Sequence, residues 1–345
     1  MKPKRIIYFG YYIKKLNKPL FRKFLNHAKQ ETGKGNCHFY WDIFKHSIKY
    51  NTSILEYFQF GFYKPECTDE EKASWAGTGY MYEYQSFMNP RTYRSLLEDK
   101  RVFDKNYAAF IKHVNVSLEE ARTDHALVDK LLTNPSGKIV FKNSGGNCGK
   151  GIIIEDAKKY NAESLYQFML DNGYDLVEQF VVQHETIYAL SPLALNTVRV
   201  FTQLDEHDNV DILGCRLRIS VGGYVDNFAA GNLAAPIDTH TGVISGPGVY
   251  SDITKAPTDI HPTTGVKISG TQIPYWDETI EMVKKAAKLN MVNRTVGWDI
   301  AITPEGPDLI EGNREWCKLL FQLPVNKGLR PILDHYLETQ KNQDL

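Results

Sequence analysis

Apolar residues recur at helical spacing through the first part of the chain. Two intervals, 20–28 and 43–60, show this spacing most clearly, and the region around them is rich in Tyr, Phe and Lys without a recognisable catalytic motif. We therefore predict that residues 1–95 form a mostly helical N-terminal region. Its basic and aromatic side chains either pack internally, which is the simpler interpretation, or bind a glycan or a membrane-bound partner.

Helical spacing then gives way to an alternation of strands and helices. The helical pattern continues to Leu132 and ends at a cluster of turn-forming residues, 133–137. Strands are predicted at 138–142, 151–155 and 175–180, and a helix at 162–170. This pattern predicts an α+β lobe over residues 96–180.

The rest of the chain, residues 181–345, predicts a second α+β lobe. Short β-like runs separated by turns extend over residues 197–250, and a helix is expected at about 276–289. The lobe contains a β-hairpin with strands at 296–303 and 308–311, joined by the turn sequence Thr-Pro-Glu-Gly.

The predicted hairpin brings polar side chains together. If Thr303 pairs with Pro307 around a three-residue connection, counting back places Asp299 opposite Glu311, and the period of two places Asn313 on the same face. Two carboxylates and an amide suit Mg²⁺, which shares its remaining positions with water and substrate phosphates. The alternative is an ordinary hairpin with polar residues on its solvent face.

Composition and charge narrow the possible functions. Lys and Arg balance Asp and Glu at 41 each, so the overall charge does not favour nucleic-acid binding, although the first residues are basic. The five cysteines are far apart and form no Cys-x-x-Cys pair, which argues against a disulfide framework and a zinc site. No stretch is apolar for long enough to cross a membrane. We expect a cytoplasmic protein without nucleic-acid partners or a transmembrane segment.

A glycine-rich loop lies between the first two strands of the α+β pattern. It comprises Ser144, Gly145, Gly146, Asn147, Cys148, Gly149, Lys150 and Gly151. Glycines let backbone N–H groups approach an anion, but the spacing fits neither a P-loop nor a Rossmann fingerprint. With Lys142 on the incoming strand, the loop suits a lid over a triphosphate, and a simple turn is the alternative. Cys148 is interpreted as a small loop residue rather than a nucleophile.

The order of these features resembles the ATP-grasp superfamily. Lys142, the glycine loop, Glu178-Gln179-Phe180, Asp299 and Glu311-Gly312-Asn313 follow one another as in that superfamily. The stretches LALNTVRVFT, RLRISVGGYVDNFAAGN, HPTTG and VGWDIAITPEGPDLIEGN are similar to its sugar-transfer-associated branch, often described as related to α-L-glutamate ligases. The resemblance covers about residues 50–335 and is strongest over 138–322.

The resemblance implies an ATP-grasp fold in which ATP lies between two α+β lobes. Lys100 and Lys142 would contact the phosphates and adenine, residues 144–151 would form the lid, and Glu178, Gln179 and Phe180 would lie beside adenine. Asp299, Glu311 and Asn313 would be ligands of Mg²⁺. Lys105 is an alternative to Lys100, because the segment EDKRVFDK contains two Asp-Lys pairs.

Arginines of the second lobe are candidate catalytic groups. Arg199 and Arg218 lie on β-like runs, and a guanidinium group can hold the γ-phosphate, an acyl phosphate or a substrate carboxylate in bidentate fashion. Surface ion pairs are the alternative, and they suit Arg216 equally well. His184 either binds substrate, acts as a base or makes a structural hydrogen bond. Further candidate polar contacts are Asn196, Asp226 and Asn227.

The resemblance implies a Mg·ATP-dependent ligase that joins a carboxylate to an amine through an acyl phosphate. Such a reaction needs charge neutralisation and positioning rather than a protein nucleophile. The family branch suggests an amino acid or small amine joined to an acidic sugar in capsule or surface-polysaccharide synthesis, with polysaccharide-assembly enzymes as candidate partners. The alternatives are an ATP-dependent phosphotransferase acting on a sugar or alcohol, and a non-catalytic nucleotide-binding protein of polysaccharide assembly.

Overall fold

The computed structural model describes residues 3–143, 151–223 and 226–343, and its N-terminal region is helical as predicted. The predicted helical interval 43–60 is interrupted, because Asn51 adopts a left-handed φ of 60° and ends the helix before it. The helices are α1 (Pro3–Lys14), α2 (Lys18–Thr32), α3 (Asn36–Tyr50), α4 (Ile54–Gln59), α5 (Asp69–Ser74) and α6 (Thr78–Met88).

Aromatic side chains form the core of the N-terminal region. Phe24, Phe39, Tyr57 and Phe58 are buried there, and Phe58 meets Phe24 and Tyr57 edge to face. Each aromatic pair of this kind contributes about 0.5–1.5 kcal/mol beyond the burial of its area. These rings therefore pack internally, whereas Tyr11, Tyr40 and Trp41 of the same region are exposed.

The first lobe is built on a four-stranded antiparallel sheet. Its strands are β1 (Asn115–Ser117), β2 (Lys138–Lys142), β3 (Ile153–Asp156) and β4 (Leu176–Gln179), in the order β1-β4-β2-β3. The helices are α7 (Ser95–Glu98), α8 (Lys100–Asn106), α9 (Leu118–Thr123), α10 (His125–Leu132) and α11 (Ala162–Asn172). The prediction was correct for β2 and missed β1, which is too short to show a periodic pattern.

Alternation along the strands gives this sheet an apolar face and a polar face. Phe141 and Val177 point into a buried cluster with Leu165 and Met169. Lys142 and Glu178 are the next residues along their strands, so they point to the opposite face. The polar face is the one that contributes to the candidate site.

The second lobe is built on a five-stranded antiparallel sheet. Its strands are β5 (Thr197–Leu204), β6 (Val210–Ile219), β7 (Leu233–Ile237), β8 (Thr295–Thr303) and β9 (Gly306–Asn313), in the order β7-β6-β5-β8-β9. The helices are α12 (Glu185–Leu190), α13 (Trp276–Leu289), α14 (Lys318–Gln322) and α15 (Arg330–Gln343). One face packs on α13, and the other packs in part on α6 and α14.

A buried ion pair joins the N-terminal region to the second lobe. Lys318 Nζ lies 2.9 Å from Glu56 Oε1, and Glu56 also accepts hydrogen bonds from the backbone of Ser53 and Thr78. Burial alone would raise the pKa of Glu56, but Lys318 and these hydrogen bonds lower it. The helical region thus packs firmly on the lobe, whereas the division of the chain at residues 95 and 180 stays a prediction.

Candidate functional site

The β8–β9 hairpin places Asp299 directly opposite Glu311, as the sequence predicted. The route to this pairing differs from the prediction, because Thr303 pairs with Gly306 rather than with Pro307 and the turn is one residue shorter. A β-bulge next to Asp299 leaves one residue of β9 unpaired and restores the register. The two carboxyls meet because these two changes cancel.

Asn313 joins the two carboxyls, as predicted. Its Nδ2 donates to Glu311 Oε1 at 3.0 Å and lies 3.4 Å from Asp299 Oδ2. Gly297 lies opposite Asn313, and a Cβ at Gly297 would approach Trp316 Cβ to 2.7 Å. Glycine is therefore required there for the close packing behind the cluster.

Asp299 is completely buried, so the alternative interpretation, a hairpin with its polar residues on the solvent face, does not hold for this residue. Both of its oxygens accept hydrogen bonds from Arg199, which lies opposite it on β5. Arg218 Nη2 also donates to Asp299 Oδ2, at 2.9 Å. Burial alone would raise the pKa of Asp299, but the two guanidinium groups hold it well below its usual range.

Arg218 links Asp299 to a second buried carboxylate, Asp226. Arg218 Nε lies 3.1 Å from Asp226 Oδ2 and donates to Thr197 Oγ1 at 2.9 Å. Burial raises the pKa of Asp226. Although burial alone would lower the pKa of Arg218, Asp226 and Asp299 raise it. Arg199 and Arg218 are thus held by carboxylates within the second lobe rather than in surface ion pairs.

The remaining polar candidates have structural partners. Arg216 donates to the backbone oxygen of Phe321 at 2.5 Å, and burial lowers the pKa of Arg216 to about 10. Asn196 Nδ2 donates to Gln183 Oε1 at 2.9 Å within the second lobe. The side chains of Asn227 and His184 accept from backbone N–H groups two residues further on, as caps of the turns that follow.

Glu311 has a different environment from Asp299. It lies on the edge strand β9, where it is exposed to the cavity between the lobes. Desolvation within the cavity and repulsion from the Asp299 carboxylate both raise the pKa of Glu311. Glu311 therefore retains a proton to a higher pH than an ordinary glutamate does.

Lys142 and Glu178 form the first-lobe side of the site. They lie on neighbouring strands of the polar sheet face, and Lys142 Nζ makes an ion pair with Glu178 Oε2. Burial alone would raise the pKa of Glu178, but Lys142 and Lys100 lower it to about 2. Glu178 thus fixes the position of the Lys142 ammonium group.

Lys100 reaches from α8 to the edge of the second lobe. Its Nζ donates to the backbone oxygen of Ile310 at 2.5 Å, and Ile310 is the residue that the β-bulge leaves unpaired. Nζ also lies 2.9 Å from Asp104 Oδ1. Burial alone would lower the pKa of Lys100, but Glu178 and Asp104 raise it. Lys105, the alternative, is exposed and does not line the cavity.

A cavity of about 430 Å³ separates these groups. Lys100, Lys142 and Leu176 line one wall, and Glu311 and Asn313 line the other. Asp299 and its arginines lie behind that second wall. The sequence interpretation did not single out Glu98, Arg314 and Glu315, which also line the cavity and form ion pairs through Arg314.

Buried polar atoms without a partner among the described residues lie on the polar face of the first-lobe sheet. Asn115 pairs with Glu178 across β1 and β4, so both side chains point to the same face. Within the described structure, both amide atoms of Asn115 and Oε1 of Glu178 lack hydrogen-bond partners. Each such group costs about 1–3 kcal/mol when it is left unsatisfied. This face therefore suits a polar ligand or ordered water, and no sequence signal indicated Asn115.

The residues predicted to lie beside adenine follow β4. The side chain of Gln179 accepts from the backbone N–H of Val114 at 3.3 Å, and the backbone N–H of Gln179 donates to the oxygen of Val114 at 2.8 Å. The N–H of Phe180 donates to the backbone oxygen of Lys138 at 3.1 Å, and Lys138 Nζ lies 5.7 Å from the centre of the Phe180 ring. Their contact with adenine stays a prediction.

Most of the predicted lid lies outside the described residues. This applies to Ser144, Gly145, Gly146, Gly149 and Lys150, and to Cys148. Gly151 is described, and its positive φ of 76° favours glycine.

The second-lobe donors fit a hard cation. In the described ranges, no group of three or more His, Cys, Asp or Glu residues could hold a metal ion. The candidate ligands are instead two carboxylates, Asp299 and Glu311, and the amide of Asn313. Asp299 is kept ionised, Glu311 is exposed to the cavity, and a half-turn of the Asn313 amide would direct its oxygen towards them. Such an oxygen set is typical of Mg²⁺.

Comparison with known families assigns the fold. The family model described as sugar-transfer associated ATP-grasp matches residues 80–337. The chain belongs to this family. Its α+β architecture is the ATP-grasp fold, with a helical region before it, as the sequence predicted. Helices α1 to α5 lie before the matched residues of this ATP-grasp protein. Comparison with curated proteins gave no match.

Solved ATP-grasp structures are similar to this chain only at low identity. An N5-carboxyaminoimidazole synthetase from Staphylococcus aureus is 10% identical, with a TM-score of 0.38 over 64% of this chain and 44% of that one. A D-cycloserine synthetase is 12% identical, with a TM-score of 0.43 over 74% of this chain and 79% of that one. The third structure is the biotin carboxylase domain of a Hydrogenobacter thermophilus 2-oxoglutarate carboxylase, crystallised with ADP and MgADP. It is 16% identical, with a TM-score of 0.41 over 74% of this chain and 53% of that one.

The ATP-grasp chain spans about half the length of the solved chains that rank first in similarity. Among the described residues, no helix combines the length and the apolar character that crossing a membrane requires.

Proposed function

We propose that this ATP-grasp protein is a Mg·ATP-dependent carboxylate–amine ligase that forms an amide and releases ADP and phosphate. The observation that supports this function best is that lysines line one wall of the cavity and oxygen donors line the other. Lys100 and Lys142 line one wall, where cations suit a triphosphate. Glu311 and Asn313 line the other wall with Asp299 behind them, where oxygen donors suit Mg²⁺.

Asp299, Glu311 and Asn313 would hold the metal ion. Mg²⁺, when bound, would offset the charge on the phosphoryl group that is transferred. Arg199 and Arg218 keep Asp299 ionised, and its oxygens would exchange part of their hydrogen bonds to these arginines for the cation. A proton competes with the ion for Glu311 up to a higher pH than at an ordinary glutamate, because the pKa of Glu311 is raised.

The chain's own residues position the reacting groups. In the first step, a carboxylate oxygen of the acid attacks the γ-phosphorus, the bond to the bridging oxygen breaks, and ADP leaves. Lys100 and Lys142 would offset the negative charge that moves onto ADP. In the second step, the amine nitrogen attacks the acyl carbon and loses a proton, and the carbon–oxygen bond to phosphate breaks. Arg218 is held by Asp226 and Asp299 behind the second wall, so it would act on the reaction through Asp299.

A protein nucleophile is not needed in this scheme. Cys215 is buried, and burial raises its pKa to about 12, so its thiol is unreactive at neutral pH. The acid is therefore activated on the substrate itself. We propose an acidic sugar as the acid and an amino acid or small amine as the second substrate, in capsule or surface-polysaccharide synthesis in the cytoplasm. The family's association with sugar transfer supports this choice.

An isotope experiment tests the mechanism. The protein is incubated with Mg·ATP, amino acids and uronic acids or their nucleotides, and the products are determined by mass. When the acid carries ¹⁸O in its carboxylate, one ¹⁸O should appear in the released phosphate. Formation of AMP and pyrophosphate, or amide synthesis without label in phosphate, would contradict the acyl phosphate. Phosphate transfer to a sugar hydroxyl without an amine would instead indicate a phosphotransferase.

A further inference from the structure

The N-terminal segment has a charge that differs from the rest of the chain. Residues 1–30 contain nine Lys and Arg and no Asp or Glu, although the complete chain is neutral. The basic residues are Lys2, Lys4, Arg5, Lys14, Lys15, Lys18, Arg22, Lys23 and Lys29. This segment precedes residue 80, where the family match begins. The ATP-grasp fold therefore does not account for its charge.

Helix α1 is apolar on both of its faces. Tyr12 is buried on the inner face, against the N-terminal core. On the outer face, Ile6, Ile7, Tyr11 and Ile13 are between 47% and 71% exposed. Isolated exposed apolar residues are common on proteins, but four within two turns of one helix form a patch.

Trp41 extends this patch from α1 to α3. The ring of Phe44 lies 5.2 Å from Phe9 of α1 and 5.8 Å from Trp41 of α3, measured between ring centres. Trp41 is 67% exposed, and Lys45 is exposed one turn further along α3. We call Ile6, Ile7, Tyr11, Ile13 and Trp41 the α1–α3 face.

We propose that the α1–α3 face docks on an anionic lipid bilayer. A surface helix with exposed isoleucines and aromatic rings can insert these side chains at the headgroup boundary, while nearby lysines attract anionic headgroups. Lys14 and Lys15 are exposed at the end of α1 and Lys18 at the start of α2. At 12 residues, α1 is too short to span a bilayer, so the surface lies on the membrane.

The acidic groups near this face do not cancel its charge. Glu83 pairs with Lys4 at 3.1 Å at one edge. Asp42 of α3 accepts a hydrogen bond from Tyr57 at 2.6 Å, so its carboxylate is directed into the N-terminal core. An acidic protein or glycan would match the lysines, but three exposed isoleucines gain most from contact with hydrocarbon. The lipid surface is therefore the partner that fits both properties.

The distribution of tryptophans allows a direct test. Of the five tryptophans, Trp41 is exposed, whereas Trp75, Trp276, Trp298 and Trp316 are at most 6% exposed. The full chain is mixed with vesicles of phosphatidylcholine alone, or of phosphatidylcholine and phosphatidylglycerol in equal parts. We expect flotation with the mixed vesicles only, a blue shift of the fluorescence and quenching by brominated acyl chains. Trp41→Phe should abolish the shift and the quenching.

Matched variants separate the apolar and the charge contributions. Ile7→Ser with Tyr11→Ser should reduce vesicle binding at least roughly tenfold, because contact with the acyl chains is lost. The control Ile332→Ser removes an apolar residue that is 40% exposed on α15 and should bind normally. The triple Lys14→Gln, Lys15→Gln, Lys18→Gln should also weaken binding roughly tenfold or more, whereas Lys284→Gln, Lys285→Gln, Lys288→Gln on α13 should not.

The proposal is wrong under three results. The first is the absence of vesicle binding by the wild-type chain. The second is equal loss of binding in the α1–α3 variants and in their controls. The third is retention on an acidic polysaccharide or an acidic protein without binding to vesicles, which would assign the face to that partner. Thermal unfolding of each variant checks that it remains folded.

Discussion

Asp299 and Glu311 face each other across β8 and β9, yet the pKa of Asp299 is lowered and that of Glu311 is raised. Asp299 is buried against Arg199 and Arg218, and Glu311 is exposed to the cavity. Neighbouring carboxyls whose environments separate their pKa values commonly have different tasks. We infer that Asp299 is a fixed anion of the site, whereas a proton competes with the metal ion for Glu311 in the acidic range.

Replacing Glu311 with glutamine should largely abolish turnover and leave the fold intact. The side chain is exposed to the cavity, so its amide should change the free energy of unfolding by no more than about 0.5 kcal/mol. Steady-state ADP release and urea unfolding measure the two effects. Glu315→Gln, on the same cavity wall, is the control and should retain most activity. Near-normal turnover of folded Glu311→Gln would refute the metal assignment.

Replacing Asp299 with asparagine should destabilise the protein itself. The change leaves Arg199 buried with a neutral partner and Arg218 with Asp226 as its remaining carboxylate, and loss of one member of a buried ion pair costs about 3–5 kcal/mol. Asp208→Asn is the control, because Asp208 pairs with Arg294 at 3.0 Å near the surface, where about 0.2–1 kcal/mol is expected. Denaturant unfolding of both variants measures the two losses in the free energy of unfolding. Equal losses in the two variants would show that Asp299 stabilises the fold no more than a surface ion pair does.

The affinity for Mg²⁺ should increase with pH in the acidic range. A proton on Glu311 competes with the ion, and the raised pKa moves this competition above the pH at which an ordinary glutamate ionises. Below the raised pKa the affinity should therefore fall, and well above it the affinity should be constant. Asp299, whose pKa is lowered, stays ionised throughout this range. Calorimetric titration with Mg²⁺ and a non-hydrolysable ATP analogue measures the effect, which should be absent in Glu311→Gln.

Lys142 and Glu178 should separate nucleotide binding from stability. Lys142→Met should weaken ATP binding by about 1.5–3 kcal/mol, the usual contribution of a hydrogen bond to a charged group. It should also destabilise the fold, because Glu178 then remains buried without its nearest cation. Adding Glu178→Gln should recover part of the stability but not the ATP affinity. Unchanged ATP affinity in Lys142→Met would exclude the phosphate contact.

Local sequence patterns determined several elements of this protein. Strand β2 and helix α13 were predicted with nearly correct bounds, since alternation and helical spacing are visible within one element. The pairing of Asp299 with Glu311 was also correct, but it depended on a β-bulge that offset a turn one residue shorter than predicted. The order of lysine, glycine loop and acidic hairpin was sufficient to indicate the ATP-grasp family.

The tertiary structure decided what those residues contact. Strand β1 has three residues, which is too few for a pattern, so the role of Asn115 beside Glu178 was not predictable. Lys100, unlike Lys105, lines the cavity, because α8 directs it towards the backbone oxygen of Ile310.

The burial of Asp299 shows the physical limit of the sequence argument. Its partners Arg199 and Arg218 are 100 and 81 residues away along the chain, and they meet Asp299 only because β8 and β6 flank β5 in one sheet. Strand periodicity specifies the face of a side chain, but not which distant strand lies beside it. The sequence therefore determined the chemical groups and the face that carries them. The order of strands in the sheet decided their charge environment.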